Sequence, residues 1–314
     1  MIQKNNQFNG NILANTYSIV ARDPKTGEMG VGVQSHWFSV GSVVSWGEAG
    51  VGVVATQSLV NKSFGLRGLE LLRQGISPKK AVELLLSDDE GRDVRQLAIL
   101  NTHGKVATHT GKKCIKHAGH IKGDNFSVQA NMMLTDKVWS VMASFFEKNN
   151  SLLLPERIIK SLEAAESVGG DIRGKQSAAL LIVSGEPTEN KWEDPLIDLR
   201  VEDHTEPLKE LRRLLKVYRA YEHMNNGDLA IEKGDMNKAL KEYDAAQKLL
   251  PENLETTYWT AISLANQKKL NQALILFKKV FKIDKNWRLL TERLPDSGLL
   301  NINKDEMNLI LSIK

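Results

Sequence analysis

Thr16 opens the first apolar run of the chain, where its hydroxyl is either that of an ordinary strand residue or a candidate nucleophile. A hydroxyl needs a base, and a free α-amine serves well because its pKa of roughly 7.7–8.0 lies close to neutral pH. That arrangement requires Thr16 to be the first residue of the mature chain, whereas fifteen residues precede it here. Arg22 and Asp23 close the same run and are expected to pair nearby. Gln129 and Asn131 stand two apart in another apolar run, so a strand there points both amides to one face. Two amides on an apolar face are costly without partners. Asp171 and Arg173 sit on a glycine-flanked loop as either an ion pair or a pair of site residues. The only cysteine, Cys114, and Ser177 are the alternative nucleophiles; their plainer roles are a small buried hydrophobe and a hydrogen-bonder at a strand start.

Other chemistries find little support. The sequence has no P-loop, dinucleotide-type glycine loop, HExxH or GxSxG motif. Cys114, His117 and His120 form Cys-x2-His-x2-His, half of a metal site with no partner segment, so neither metal nor cofactor is expected. One cysteine excludes an intrachain disulfide.

The elements that must position these residues fall into two textures. Up to about Asp203, β-branched runs alternate with glycine. Strands are predicted at Thr16 to Ala21, Met29 to Ser35, Ser42 to Trp46, Val51 to Ala55, Arg95 to Leu100, Val106 to Thr110, Asn125 to Met132, Gln176 to Val183 and Leu196 to Val201. Helices are predicted at Gly65 to Gln74, Ser77 to Leu86, Thr135 to Lys148 and Pro155 to Val168, the second with Ser77-Pro78 as N-cap and first helical residue. Strands, two helices, strands, two helices, strands is an α+β order with antiparallel hairpins. Strands apolar at nearly every position indicate two packed sheets covered by helices.

From Thr205 onward the chain is nearly all helix former. Ala239, Tyr243 and Ala246 recur 34 residues later as Ala273, Phe277 and Val280, and Gly227 recurs as Ala261. This resembles the tetratricopeptide repeat, whose small residues sit where paired helices touch. Such helices suit a protein or peptide partner.

With 314 residues, two domains are expected: 16–204, then 205–314, after a leader at 1–15. The net charge is +4; residues through His204 balance to zero, and the helical part carries the whole excess. So small a scattered excess argues against nucleic acid. No apolar stretch reaches the ~18 residues of a membrane span. The polar first fifteen residues lack the apolar core of a secretory signal, which points to the cytoplasm. Nothing in the sequence selects between monomer and homo-oligomer.

One dense set of residues resembles a known bacterial family. It comprises Thr16-Tyr-Ser-Ile-Val-Ala-Arg-Asp-Pro, Gln34-Ser35, Gly50-Val-Gly-Val-Val-Ala-Thr-Gln57, Phe64-Gly65 and Arg67-Gly-Leu-Glu-Leu-Leu. It continues through Arg95-Gln96, Thr110-Gly111, Cys114, Ala118-Gly-His120, Phe126-Ser-Val-Gln129, Asn131-Met132, Gly169-Gly-Asp-Ile-Arg-Gly-Lys-Gln-Ser-Ala-Ala179 and Asp198-Leu-Arg-Val-Glu-Asp-His204. Over about residues 14 to 220 the chain resembles the family catalogued as domain of unknown function 1028, whose fold is similar to that of the N-terminal nucleophile (Ntn) amidohydrolases. The resemblance implies a four-layer αββα sandwich followed by the tetratricopeptide-like helices. It implies amide-bond hydrolysis of a small amide or peptide, with Thr16 as nucleophile once its amine is free. Gln129 and Asn131 are then candidate oxyanion donors, and Asp171 and Arg173 candidate orienters of the nucleophile or of a substrate carboxylate. The competing reading is a non-catalytic binding or scaffold protein on the same fold.

Overall fold

The computed structural model describes residues 12–14 and 16–313; Asn15, and with it the geometry of the bond on which Ntn chemistry depends, lies outside the described residues. The chain divides into two compact units, Met1–Arg213 and Leu214–Lys314.

The first unit holds the strands β1 (Ile12–Ala14), β2 (Thr16–Arg22), β3 (Met29–Ser35), β4 (Ser45–Glu48), β5 (Gly52–Val60), β6 (Arg95–Asn101), β7 (Val106–Thr110), β8 (Gly119–Gly123), β9 (Phe126–Ala130), β10 (Ser177–Val183) and β11 (Ile197–Val201). Its helices are α1 (Gly41–Val44), α2 (Ser63–Arg73), α3 (Pro78–Ser87), α4 (Val138–Lys148) and α5 (Leu154–Ser167), and α6 (Pro207–Glu232) leads out of it. One sheet runs β1-β5-β6-β7, with β4 also on β5; the other runs β11-β10-β3-β2-β9-β8. Every pairing is antiparallel. The fold is thus mixed α and β, with two antiparallel sheets.

Period-two alternation explains how both faces of these strands are used. On β5, Val53 and Ala55 join a cluster shared with Val20, Val31 and Val33 of the other sheet, whereas Val54 packs with Phe64, Leu69 and Leu85 of α2 and α3. On β2, Val20 belongs to the shared cluster, while Tyr17 reaches Glu166 on α5 through its hydroxyl at 2.8 Å. Gly32 allows the close approach of α5: a Cβ there would meet Ile158 at 2.2 Å. Ser77 caps α3 by accepting from Lys80 N–H at 3.3 Å, and Pro78 follows in the first turn.

Two local features depart from the predicted elements. The segment predicted as a strand from Ser42 splits into the one-turn helix α1 and then β4. Its β-branched valines suit a strand, but Val40 accepts from Val43 and Val44 N–H, and Gly41 lies so close to Ala179 that a Cβ would meet it at 2.5 Å. Packing overrides propensity here. Strand β8 is the other: its alternation is weak, and it forms because Asp124 and Asn125 fold it back on β9, with Asn125 at φ 61°.

The second unit continues with α7 (Met236–Leu249), α8 (Leu254–Asn266), α9 (Leu270–Ile283), α10 (Asn286–Arg293) and α11 (Lys304–Leu311). Ala239, Tyr243 and Ala246 are buried, as are Ala273, Phe277 and Val280. A Cβ on Gly227 would meet Tyr243 at 2.7 Å, which explains glycine there. Ala239→Leu is expected to cost about 1–3 kcal/mol by overpacking, read as a lower thermal midpoint of this unit. Among the described residues no helix is long and apolar enough to cross a membrane.

Candidate functional site

The space between the sheets changes character along β2. Around Val20 it is largely apolar, with Ser127 opposite; toward Thr16 it fills with Ser18, Gln57, Gln96, Gln129 and Asn131, and all six polar residues are fully buried. Each points inward because it occupies the inter-sheet parity of its strand: Gln57 follows Val53 and Ala55, and Gln96 precedes Ala98 and Leu100.

These side chains form a hydrogen-bond chain of one direction. Gln129 Nε2 donates to Ser18 Oγ at 2.6 Å, Ser18 Oγ to Gln57 Oε1 at 2.6 Å, and Gln57 Nε2 to Gln96 Oε1 at 2.7 Å. Gln96 Nε2 then donates to Thr110 Oγ1 at 2.9 Å. The orientation of Gln96 is fixed, because its Nε2 also faces the Gly119 and Ala130 carbonyls at 3.2 and 2.9 Å, which can only accept. Thr110 Oγ1 is also hydrogen-bonded to His120 Nδ1 at 2.8 Å, in a direction set by the His120 tautomer.

Thr16 sits at the edge of this network. Its carbonyl accepts from Asn131 N–H at 3.1 Å, Gln57 Nε2 at 3.2 Å and Asn131 Nδ2 at 3.4 Å. Its hydroxyl donates to the Ala14 carbonyl at 2.8 Å, and the side chain is fully buried. Ala14 belongs to β1, which pairs with β5 as Ala14↔Ser58. Asn131 also donates to Gln96 Oε1 at 2.9 Å, while its own Oδ1 is buried without a partner among the described residues. The amide of Gln129 is spent at both ends, since Oε1 accepts from Ser127 Oγ at 3.1 Å.

Asp171 and Arg173 form a tight unit of their own. Arg173 donates its backbone N–H and Nε to Asp171 Oδ1, both at 3.0 Å, and Nη2 to Oδ2 at 2.7 Å. His36 N–H donates to Oδ2 at 3.2 Å. Because Thr16 pairs with Ser35, this carboxylate lies within roughly 11 Å of the Thr16 Cα by cross-strand and chain geometry. The loop adjoins the helix-facing side, where a Cβ on Gly170 would meet Glu166 at 2.8 Å and Tyr17 at 3.3 Å. Arg22 and Asp23 do not join Thr16: a seven-residue strand separates the ends of β2 by about 20 Å. They line a different cavity with Arg157 and Phe146.

The alternative nucleophiles have ordinary structural duties. Ser177 Oγ donates to the Trp37 carbonyl and accepts from Val40 N–H. Cys114 donates to the Arg95 carbonyl at 3.4 Å, and burial pushes its thiol up, against smaller opposing help from Ser58 and the Gly111 backbone. It is a poor thiolate at neutral pH. Among the described residues, no group of three or more His, Cys, Asp or Glu side chains could hold a metal ion.

Arg95 anchors the network from the rear. Its Nε donates to Asp89 Oδ2 at 2.7 Å, with both side chains nearly buried. Burial alone would raise the Asp89 carboxyl, but Arg95 and the Gly91 N–H together hold it below its ordinary value. A carboxyl whose folded pKa is depressed contributes stability above its unfolded pKa of about 3.9, and loses it as pH falls through the folded value. Asp89→Ala should destabilise by about 3 kcal/mol at neutral pH, since it strands a buried guanidinium. In urea unfolding that difference should shrink below pH 4.

The fold and this site define a mixed α and β protein whose two sheets enclose a polar layer beside Thr16. The family model described as "Family of unknown function (DUF1028)" matches residues 16–211, and the chain belongs to that family. The crystal structure of protein SPO2555 from Silicibacter pomeroyi, described as family-model DUF1028, is similar at 30% identity with a TM-score of 0.58. The match covers 65% of this chain and 85% of that one. No curated protein matches.

Proposed function

We propose that the chain is the precursor of an amide-bond hydrolase of the N-terminal nucleophile type, in which Thr16 acts once the Asn15–Thr16 bond is broken. The observation that carries this reading is the setting of Thr16. It heads a central strand, three donors from Asn131 and Gln57 grip its carbonyl, and the buried Asn131 Oδ1 has no donor among the described residues. A released Thr16 amine would supply that donor. The order of helices, sheet, sheet and helices in the first unit agrees with an αββα sandwich.

In this reading Thr16 Oγ attacks the substrate carbonyl carbon while its proton passes to the α-amine. The tetrahedral intermediate expels the leaving amine, which takes that proton, and a water activated by the same α-amine hydrolyses the resulting ester. Asn131 Nδ2 has its two N–H groups on the Thr16 carbonyl and Gln96 Oε1, so it positions Thr16, and Gln129 positions Ser18 and hence Gln57. Asp171 and Arg173 hold the loop after α5 against His36. The 34-residue spacing of the second unit supports a tetratricopeptide-like surface for a peptide or protein partner.

The test is a chain beginning at Thr16, treated with a threonine-reactive β-lactone beside the full-length chain. Acylation of Thr16 in the shortened chain alone is expected. Acylation elsewhere, or none in a folded shortened chain, would favour the non-catalytic binding reading, in which β1 keeps an unused cleft closed.

A further inference from the structure

The residues that close the hydrogen-bond chain open onto a cleft of about 580 Å³, lined by Thr110, Lys112, Cys114, Lys116, His117 and His120 among others. Among the described residues, no acidic side chain lines it. Lys112 has an outside partner, Asp93 at 3.3 Å, whereas Lys116 has no ion-pair partner among the described residues. His120 has Nδ1 hydrogen-bonded to Thr110, and its Nε2 has no protein partner among the described residues. Burial, then the positive charge of Lys122 and His109, lowers the His120 pKa, which favours the neutral imidazole.

The loop that carries these groups is held firmly. Gly111 N–H donates to the Arg95 carbonyl at 2.9 Å, Cys114 N–H to Gly111 at 3.0 Å and Lys113 N–H to Asp93 at 2.7 Å. A Cβ at Gly111 would meet the Asp93 carbonyl at 2.2 Å. His117 is held at φ 57° with its carbonyl accepting from Met133 N–H at 3.3 Å. For a residue with a Cβ, that backbone is uncommon and is kept where its surroundings over-determine it. The cleft is also one side chain from Thr16: Gln96 bonds Thr110 on the wall and Asn131 at the Thr16 carbonyl.

We infer that this cleft is the subsite for a carboxylate on the substrate, making the substrate an acidic amide or short acidic peptide. The inference rests on the hydrolase reading for the word substrate, but not for the binding itself. Lys116 supplies the charge and His120, in the tautomer protonated on Nε2, a directed N–H, with His117 at the rim. Separate point donors of this kind suit a carboxylate; a phosphate site would be expected to offer a nest of backbone N–H groups or an arginine fork.

Binding can be tested without catalysis, on the full-length chain and on Thr16→Ala, by calorimetry with glutarate and by nitrogen NMR of the histidines. Saturable glutarate binding is expected in both proteins, at least tenfold weaker in Lys116→Gln, with the His120 Nε2 signal shifting and neutral glutaramide not binding. Lys116 is exposed, so its substitution leaves the fold intact. No saturable binding, equal binding of glutaramide, or tighter binding of inorganic phosphate than of glutarate would overturn the assignment. Hydrolysis of neutral amides by a chain starting at Thr16, together with absent glutarate binding, would remove the subsite and leave the hydrolase reading standing.

Discussion

Thr16→Ala is expected to leave the chain uncut between Asn15 and Thr16, and to reduce amide hydrolysis by on the order of 10⁴–10⁶-fold, the scale seen when a covalent nucleophile is removed. The fold should survive. The substitution deletes one hydrogen bond to the Ala14 carbonyl, worth about 0.5–1.5 kcal/mol, and leaves the backbone bonds of β2 intact. Thr16→Ser keeps a hydroxyl at the same place and should retain measurable turnover. Intact mass and hydrolysis of a chromogenic amide, measured on the same preparations, decide the matter. Full turnover by a folded Thr16→Ala protein would exclude Thr16 as the nucleophile.

Gln96→Leu is expected to be the most destabilising single change in the polar layer. Gln96 is fully buried and joins Gln57, Asn131, Thr110 and two backbone carbonyls. Leucine fills a similar volume but strands several of these groups at about 1–3 kcal/mol each, so a total of at least ~3 kcal/mol is expected. Urea unfolding measures it. The same variant removes the donor to Thr110, the hydrogen-bond partner of His120 Nδ1, so the His120 signals should shift in nitrogen NMR. A loss below ~1 kcal/mol would mean that the layer is wet and tolerant, not a preorganised scaffold for Thr16.

Much of this layer could be read in the sequence, but only from one side. Gln129 and Asn131 stand two apart in an apolar strand, and parity alone sets them on the face toward Thr16. Gln57 and Gln96 obey the same logic inside β5 and β6, yet they come from the opposite sheet, and nothing local says which sheet faces which. Their signal was available: a glutamine in a strand otherwise apolar on both faces needs a buried partner. The partners are 39 residues apart for Gln57 and Gln96, and 35 for Gln96 and Asn131, so only the stacking of the sheets reveals the pairs. Arg22 and Asp23 show the reverse error. Closeness in sequence to Thr16 became a full strand length in space. The run at Ser42 fails for a third reason, since its valines read as strand while the approach of Gly41 to Ala179 bends the backbone into a turn.

Hydrolysis by Thr16 requires that the bond before it be broken. The most direct measurement is the intact mass and N-terminal sequence of the protein purified from its own host. A mature chain that begins at Thr16 is expected, together with a Thr16→Ala variant, expressed in the same host, that stays uncut. A native protein that retains the residues before Thr16, with β1 still seated on β5, would contradict the hydrolase reading.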